Sequence, residues 1–207
     1  MGLPVLVLGE SGSGKSASLR NFAKDEAVVF NVASKPLPFR GGLPTIKGAG
    51  YRRIAEELSK GECKRYVIDD SQYLMCFEMF QTAKEKGYEK FTDMALHFYN
   101  LLQFIIQKLP PDVIVYFLHH TEQNDNGKVK AKTIGKMIDE KLTLEGLFSV
   151  VLMCKTDGNR HFFETKSDGF TTVKTPIGMF EQNEIDNDLK TVDATIREYY
   201  NDFKEDF

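Results

Sequence analysis

The sequence predicts an α/β fold in which a mainly parallel sheet is flanked by helices and ends in a C-terminal antiparallel hairpin. Continuous apolar runs without alternation, such as Val113 to Leu118, are typical of strands covered on both faces in a parallel sheet. Early in the chain these runs alternate with helical patterns, in which apolar residues recur every three or four positions. A late Asp168-Gly169 pair between two β-rich runs indicates the hairpin.

Each element follows from its local pattern. The predicted buried strands are Pro4 to Leu8, Ala27 to Val32, Tyr66 to Asp70, Val113 to Leu118 and Ser149 to Cys154. The predicted helices are Ala17 to Lys24, Tyr51 to Lys60, Tyr73 to Leu109 with a break near Gly87, and Asn187 to Phe203. The hairpin joins Arg160 to Thr165 with Phe170 to Lys174, and residues 33–50 form a long loop whose length suggests a function.

The composition is typical of one globular domain covering residues 1–207, with 42% hydrophobic and 28% charged residues. The net charge of −3 gives no general attraction to nucleic acid, so any DNA contact needs a local basic patch. Cys63, Cys76 and Cys154 are widely spaced, which argues against a disulfide framework or a zinc site. No apolar run is long enough to span a membrane, and we expect a cytoplasmic protein without membrane contact.

The most specific motif is a complete phosphate loop, G-x-x-x-x-G-K-[ST]. It lies between the first predicted strand and the first predicted helix, which is the order that nucleotide binding requires. Glycines let successive backbone N–H groups converge on an anion at the start of the following helix. The predicted nucleotide-binding residues are Gly9, Glu10, Ser11, Gly12, Ser13, Gly14, Lys15, Ser16 and Ala17. A chance glycine-rich turn is the alternative, and the correct flanks on both sides argue against it.

Catalytic and metal-binding roles follow from this placement. Lys15 is expected to reach the outer phosphates of ATP, and the Ser16 hydroxyl is expected to bind Mg²⁺. Asp69 ends a buried strand and is the second predicted metal ligand, since Mg²⁺ prefers hard oxygen ligands. Asp70 is predicted to orient or deprotonate the attacking water. The alternative is a strand-end turn with two solvated acids.

A further polar group follows the strand Val113 to Leu118. Side chains in a strand alternate, so only one of His119 and His120 points toward the phosphate loop. We predict that His120 does so and senses the γ-phosphate, whereas His119 is a structural imidazole.

A lysine-rich segment extends from Glu122 to Lys141 in an otherwise acidic chain. Its lysines either bind the phosphates of single-stranded DNA or supply a cation in trans to the ATP site of a neighbouring subunit. A solvated loop without either role is the third interpretation. The candidates are Lys128, Lys130, Lys132, Lys136 and Lys141.

With these motifs in order, the chain resembles the RecA-like core ATPases, and most closely the small phage ATP-binding proteins of the Sak-type recombination class. The resemblance covers nearly the whole chain. The segments that carry it are Gly9 to Ser16, Val67 to Asp70, Ile114 to Thr121, the lysine-rich stretch to Leu142, Val173 to Pro176 and Ile185 to Leu189.

This resemblance implies a P-loop NTPase with a RecA-like core that hydrolyses ATP with Mg²⁺. It also implies self-assembly into rings or filaments and a role in phage DNA recombination or single-strand annealing, in the cytoplasm of a bacterial host. The implied partners are single-stranded DNA and a single-strand DNA-binding protein.

The chain departs from the RecA-like pattern after the second strand. RecA-like recombinases generally have a catalytic Glu there, whereas this chain has Asn31 to Lys35 without an acid. Two other functions therefore stay open. One is a small-molecule or nucleotide kinase, against which the lack of an arginine-rich lid argues. The other is a nucleotide-gated interaction module with little turnover.

Overall fold

The computed structural model describes residues 1–87, 89–134 and 142–202, and within these ranges nine strands form one mixed sheet. The strands are β1 (Leu3–Gly9), β2 (Val28–Asn31), β3 (Thr45–Lys47), β4 (Arg65–Asp69), β5 (Ile114–Gln123), β6 (Val129–Ala131), β7 (Val150–Thr156), β8 (His161–Glu164) and β9 (Glu184–Asp186). The helices are α1 (Tyr51–Lys60), α2 (Gln72–Gln81), α3 (Glu89–Lys108) and α4 (Leu189–Asp202).

The strand order is β3-β2-β4-β5-β1-β7-β8-β9, with β6 paired to the end of β5. All neighbours from β3 to β7 are parallel, whereas β8 and β9 add to the edge as antiparallel strands. The predicted α/β class with a mainly parallel sheet is therefore confirmed. Strand β5 lies between β4 and β1, and its pairing with β1 sets His120 opposite Gly9.

Two hydrophobic cores cover the two faces of the sheet, as continuous apolar strands require. On β1, Leu6 and Leu8 face the core that contains α1, α2 and α3. The alternate residues Val5 and Val7 face the second core, which is closed by residues of α4. All four of these β1 side chains are fully buried, so β1 holds the phosphate loop on a rigid support.

The predicted helix from Tyr51 to Lys60 is confirmed at both ends as α1. Ile54 and Leu58 lie one turn apart on its buried face, and Gly61 ends it in the left-handed conformation at φ +66°. The predicted break near Gly87 is also confirmed, since it separates α2 from α3. No helix in the described ranges is long and apolar enough to cross a membrane.

The predicted helix Ala17 to Lys24 is wrong. Only Ser16–Leu19 is helical, as one 3₁₀ turn, and the chain continues in turns to β2. The Ser18 hydroxyl donates to the Lys15 carbonyl at 2.6 Å, and the Arg20 guanidinium donates to the Ala17 carbonyl at 3.1 Å. Such side-chain bonds to the backbone compete with a continuing helix, for which Ser is a weak former.

The predicted hairpin between Arg160 to Thr165 and Phe170 to Lys174 is also wrong. Strand β8 is already paired on both edges, with β7 on one side and β9 on the other. Thr171 and Lys174 instead form single bridges to Val129 and Val151. The antiparallel hairpin is β7–β8, whose turn is closed by the Asp157 carboxylate accepting from the Arg160 backbone N–H at 3.0 Å.

The predicted loop over residues 33–50 contains one strand that the sequence pattern did not indicate. Residues of β3 pair in parallel with β2, and Val29 donates to the Pro44 carbonyl at 2.8 Å just before β3. Three residues are too few to show a period. The C-terminal helix is confirmed as α4, while Phe203, its predicted end, lies outside the described residues.

Candidate functional site

The phosphate loop leaves β1 at Gly9 and turns through two glycines in the left-handed region. Gly12 has φ +81° and Gly14 has φ +102°, conformations that residues with a Cβ rarely adopt. At Gly14 a Cβ would also lie 2.9 Å from the ring of His161. The backbone conformation of the loop therefore favours glycine at these two positions.

Lys15 is buried at the base of this loop. Its Nζ donates to the Gly9 carbonyl at 2.7 Å and to the Glu10 carbonyl at 2.8 Å, and burial lowers its pKa. A phosphate oxygen carries negative charge, whereas a loop carbonyl is neutral. A phosphate oxygen would thus attract the Lys15 ammonium more strongly than the two loop carbonyls do.

The metal-binding prediction rests on Ser16 and Asp69, which the fold brings into contact. The Ser16 hydroxyl donates to Asp69 Oδ1 at 2.7 Å, although 53 residues separate them in the sequence. Asp69 is buried at the end of β4, and this burial raises the pKa of its carboxyl despite the Ser16 hydrogen bond. A hydroxyl and a carboxylate oxygen beside a phosphate loop are hard ligands that fit Mg²⁺.

Asp70 follows directly, with φ +61°, and faces a different set of partners. Its Oδ2 lies 2.6 Å from Nζ of Lys35, and its Oδ1 lies 3.2 Å from Nε2 of His120. Burial alone would raise the pKa of Asp70, but the hydrogen bonds from His120 and Lys35 outweigh it and lower the pKa. Asp70 is thus held as a carboxylate by two basic side chains.

The two histidines at the end of β5 point in opposite directions, as strand alternation predicts. His120 faces Asp70 and makes an edge contact with the ring of Tyr73, at 5.6 Å between centroids. His119 is fully buried on the other side, and burial lowers its pKa to about 4. Its Nε2 donates to the Lys132 carbonyl at 2.8 Å, and its Nδ1 accepts from the Ser71 hydroxyl at 2.9 Å.

These residues enclose one cleft at the carboxyl ends of β1, β4 and β5. Its volume is about 310 Å³, within the range of small-ligand sites. Its lining brings together Glu10, Ser11, Gly12, Gly14, Lys15, Ser16, Ala17, Lys35, Pro38, Asp70, His120 and His161. Lys35 and His161 were not predicted, since Lys35 lies in a loop without periodicity and His161 is 148 residues from the Ser13 that it contacts.

Three late residues support the phosphate loop from behind. The His161 Nδ1 bonds the Ser13 carbonyl at 2.7 Å, and the Cys154 thiol donates to the same oxygen at 3.0 Å. The Asn187 amide donates to the Gly14 carbonyl at 3.3 Å and to Cys154 Sγ at 3.1 Å. Burial raises the pKa of Cys154 to about 11, so it stays a neutral thiol in this position.

The lysine-rich segment begins as a β5–β6 hairpin beside the cleft. Lys128 and Lys132 are exposed, whereas Lys130 forms an ion pair with Glu122 at 3.3 Å. Lys136 and Lys141 lie outside the described residues. Two hydrogen bonds join the hairpin to the site. The backbone N–H of Lys132 donates to the His120 carbonyl at 2.9 Å, and the backbone carbonyl of Lys132 accepts from the His119 side chain.

No protein-family model matches this chain, and no curated protein sequence matches it. The buried Lys15 ammonium, the glycine loop, the Ser16 hydroxyl and the Asp70 carboxylate line one cleft, and the Asp69 carboxylate lies behind it, bonded to Ser16. This set can bind a polyphosphate, hold a divalent cation and orient a water molecule.

Proposed function

We propose that this protein binds ATP with Mg²⁺ and hydrolyses it, and that it is a P-loop NTPase with a RecA-like core. The observation that carries this proposal is the 2.7 Å contact between Ser16 and Asp69. It joins the last residue of the phosphate loop to a buried carboxylate from another strand, which is the donor set that a phosphate-bound Mg²⁺ needs.

In the proposed mechanism Lys15 leaves the loop carbonyls and binds the outer phosphates. Ser16 and Asp69 would hold Mg²⁺, which when bound would neutralise phosphate charge. Asp70 lies next to them and orients the attacking water, while His120 fixes the position of the Asp70 carboxylate. The buried position of Asp70 keeps it fixed beside the cleft.

The test of nucleotide binding compares the wild-type protein with Lys15→Ala and Lys24→Ala in titrations with ATP and Mg²⁺. Lys24 is exposed and outside the cleft, so its variant is the matched control. We expect Lys15→Ala to lose ATP binding and phosphate release while its unfolding temperature stays close to that of the wild type. Unchanged hydrolysis in Lys15→Ala would overturn the assignment of the site.

We further propose that ATP turnover controls binding of single-stranded DNA through the β5–β6 hairpin, as part of phage DNA recombination or strand annealing. His119 supports this link because it is bonded both to Ser71, next to Asp70, and to Lys132 on the lysine segment. Self-assembly and a single-strand DNA-binding protein as partner are proposed from the RecA-like resemblance alone.

A further inference from the structure

The loop after β2 places a lysine in the proposed ATP site. Lys35 Nζ lies 2.6 Å from Asp70 Oδ2 and 5.8 Å from the centre of the Tyr73 ring. Lys35 also lines the same cleft as Lys15 and Ser16. This is the loop in which a RecA-like recombinase would be expected to have an acid, and here it contributes a cation instead.

The backbone around this ion pair is held in a defined conformation. The Asn31 side-chain amide donates to the Lys35 carbonyl and so fixes the loop to the end of β2. Three non-glycine residues in the described ranges have positive φ, and two of them belong to this region: Asp70 itself, at +61°, and Ser34, at +58°, directly before Lys35. Strained conformations of this kind persist where the surrounding structure holds them, and they cluster at functional sites.

The two members of the pair differ in freedom. The Asp70 side chain is 6% exposed, whereas that of Lys35 is 60% exposed. The carboxylate is therefore fixed, and the flexible lysine can move its ammonium within the cleft without disturbing packed residues. A strong anion that enters the cleft would compete with Asp70 for this ammonium.

We infer that Lys35 is a catalytic residue of the proposed ATPase, acting within its own chain on the γ-phosphate of ATP. This inference rests on the proposed function. When ATP is bound, the Lys35 ammonium moves from Asp70 to a γ-phosphate oxygen and offsets the negative charge that develops in the transition state. Asp70 then has a free oxygen to accept a hydrogen bond from the attacking water.

The reaction is balanced without another reactant. The water oxygen forms a bond to the γ-phosphorus while the bond from that phosphorus to the β–γ bridging oxygen breaks. The bridging oxygen leaves with ADP, and one water proton passes to Asp70 and then to solvent. Lys35 keeps its own protons throughout. A cation from a neighbouring subunit is then not required for this step.

The test uses the full chain with Lys35→Ala, Lys35→Arg and the control Lys47→Ala. Lys47 is an exposed lysine at the end of β3, on the strand next to β2 and outside the cleft. Two quantities are measured. One is kcat and KM for ATP with Mg²⁺, and the other is affinity for ADP alone and for ADP with aluminium fluoride, which imitates the transferred phosphoryl group.

We expect Lys35→Ala to lower kcat by about 100-fold or more, the loss typical of one transition-state donor, with KM changed by less than about threefold. ADP affinity should stay unchanged while affinity for ADP with aluminium fluoride falls at least about tenfold. The kcat of Lys35→Arg should be at least about a tenth of the wild-type value, because arginine keeps the positive charge. Lys47→Ala should behave as the wild type.

Two results would overturn the inference while leaving the proposed function intact. The first is a kcat for Lys35→Ala within about threefold of the wild type. The second is an equal loss of affinity for ADP with and without aluminium fluoride, which would mean that the ion pair only supports the structure. If the wild-type protein bound no nucleotide at all, both the proposed function and this inference would fail.

Discussion

Two adjacent acids, Asp69 and Asp70, show how single residues acquire different chemistry from their surroundings. Burial raises the pKa of Asp69, whose carboxylate accepts a hydrogen bond from Ser16. Asp70 has two basic partners, which lower its pKa although burial opposes them. A buried carboxylate bonded to a neutral hydroxyl is suited to a metal, and a carboxylate held between basic groups is suited to a fixed orienting role.

Asp69→Asn tests the metal-binding role at this scale. We expect Mg²⁺ to increase ATP affinity in the wild type and to increase it much less in Asp69→Asn, because the amide is a weaker ligand than the carboxylate. Titrating ATP with and without Mg²⁺ gives both affinities. Asp70→Asn is the neighbouring control, and it should keep the full effect of Mg²⁺. An equal Mg²⁺ effect in Asp69→Asn and the wild type would rule out Asp69 as a ligand.

His119 gives a pH-dependent prediction. Its pKa in the folded protein is about 4, below the usual value of 6.5, so the unfolded state binds the proton more readily. The contribution of neutral His119 to the free energy of unfolding is complete above about pH 6.5. It is lost as the pH falls toward 4, and the free energy of unfolding then changes by at most about 1.4 kcal/mol per pH unit.

Urea unfolding at several pH values measures this effect. His119→Gln should lower stability at pH 7 but remove this part of the acid dependence. His97→Gln, which changes a half-exposed imidazole, should retain the wild-type slope. If His119→Gln keeps the full slope, the acid sensitivity comes from other groups.

The sequence could separate His119 from His120, because alternation along a strand depends only on adjacent positions. The end of a predicted buried strand also indicated Asp69 and Asp70 as candidate site residues. Lys35 could not be predicted, because its position depends on a loop with two unusual features, the Asn31 hydrogen bond and the positive φ of Ser34.

At the scale of elements, the phosphate loop is held between β1 and the late strands. Its shape depends on Gly14, where φ is +102° and where His161 fills the space beside the Cα. The sequence motif predicted the glycine but not the histidine against which it packs.

Gly14→Ala should therefore destabilise the protein by about 1–3 kcal/mol and weaken ATP binding, since the loop must shift to accept a Cβ. Gly146→Ala is the matched control, because a Cβ there meets no atom within 4 Å and φ is not in the left-handed region. Thermal unfolding and ATP titration measure the two effects. ATP affinity equal to that of the wild type would show that the loop tolerates the extra atom.

The β5–β6 hairpin carries the prediction for DNA. Replacing Lys128, Lys130 and Lys132 with Gln should weaken binding of single-stranded DNA and reduce the dependence of log affinity on log salt by roughly 0.7 for each lost phosphate contact. Fluorescence anisotropy with a labelled oligonucleotide at several salt concentrations gives both values. If DNA affinity is unchanged but ATPase loses its dependence on protein concentration, the lysines act in trans instead.

Among elements, α1 was predictable because its apolar spacing and its terminal glycine are local signals. The 3₁₀ turn after the phosphate loop was not, because Ser18 and Arg20 end the helix through their own bonds to the backbone. The true hairpin was missed for a different reason. Both possible turns contain Asp-Gly, and only the pairing of β8 with β7 and β9 decides between them.

At the scale of the molecule, a buried charge network joins the end of the chain to the sheet. Asp193 on α4 is 1% exposed and accepts from Tyr116 on β5 at 2.9 Å, from Arg65 on β4 at 2.5 Å and from Arg197 at 2.8 Å. This network fixes α4 against the face of the sheet on which the 3₁₀ turn also packs. Asn187, just before α4, supports the phosphate loop from the same region.

Asp193→Ala should lower the free energy of unfolding by about 3–5 kcal/mol, because it leaves the partly buried Arg65 and Arg197 and the buried Tyr116 hydroxyl without their partner. Glu198→Ala, an exposed acid on the same helix, should change it by less than about 0.5 kcal/mol. Denaturant unfolding of the two variants provides the comparison. Equal stability of Asp193→Ala and the wild type would mean that the network does not hold α4.

The sequence predicted the fold class because buried strands and the phosphate loop are local patterns. It could not predict the strand order, which places β5 between the two strands that carry the motif residues. Nor could it predict contacts such as that between Arg65 and Asp193, which are 128 residues apart.

ATP binding and hydrolysis in this cleft are tested by phosphate release from ATP with Mg²⁺, measured for the wild type and Lys15→Ala over a range of protein concentrations, with and without single-stranded DNA. We predict that the rate of phosphate release per wild-type protein molecule rises with protein concentration and with DNA. Lys15→Ala should release no phosphate. The same rate in both proteins, or no release by the wild type under any of these conditions, would rule out ATP hydrolysis at this cleft.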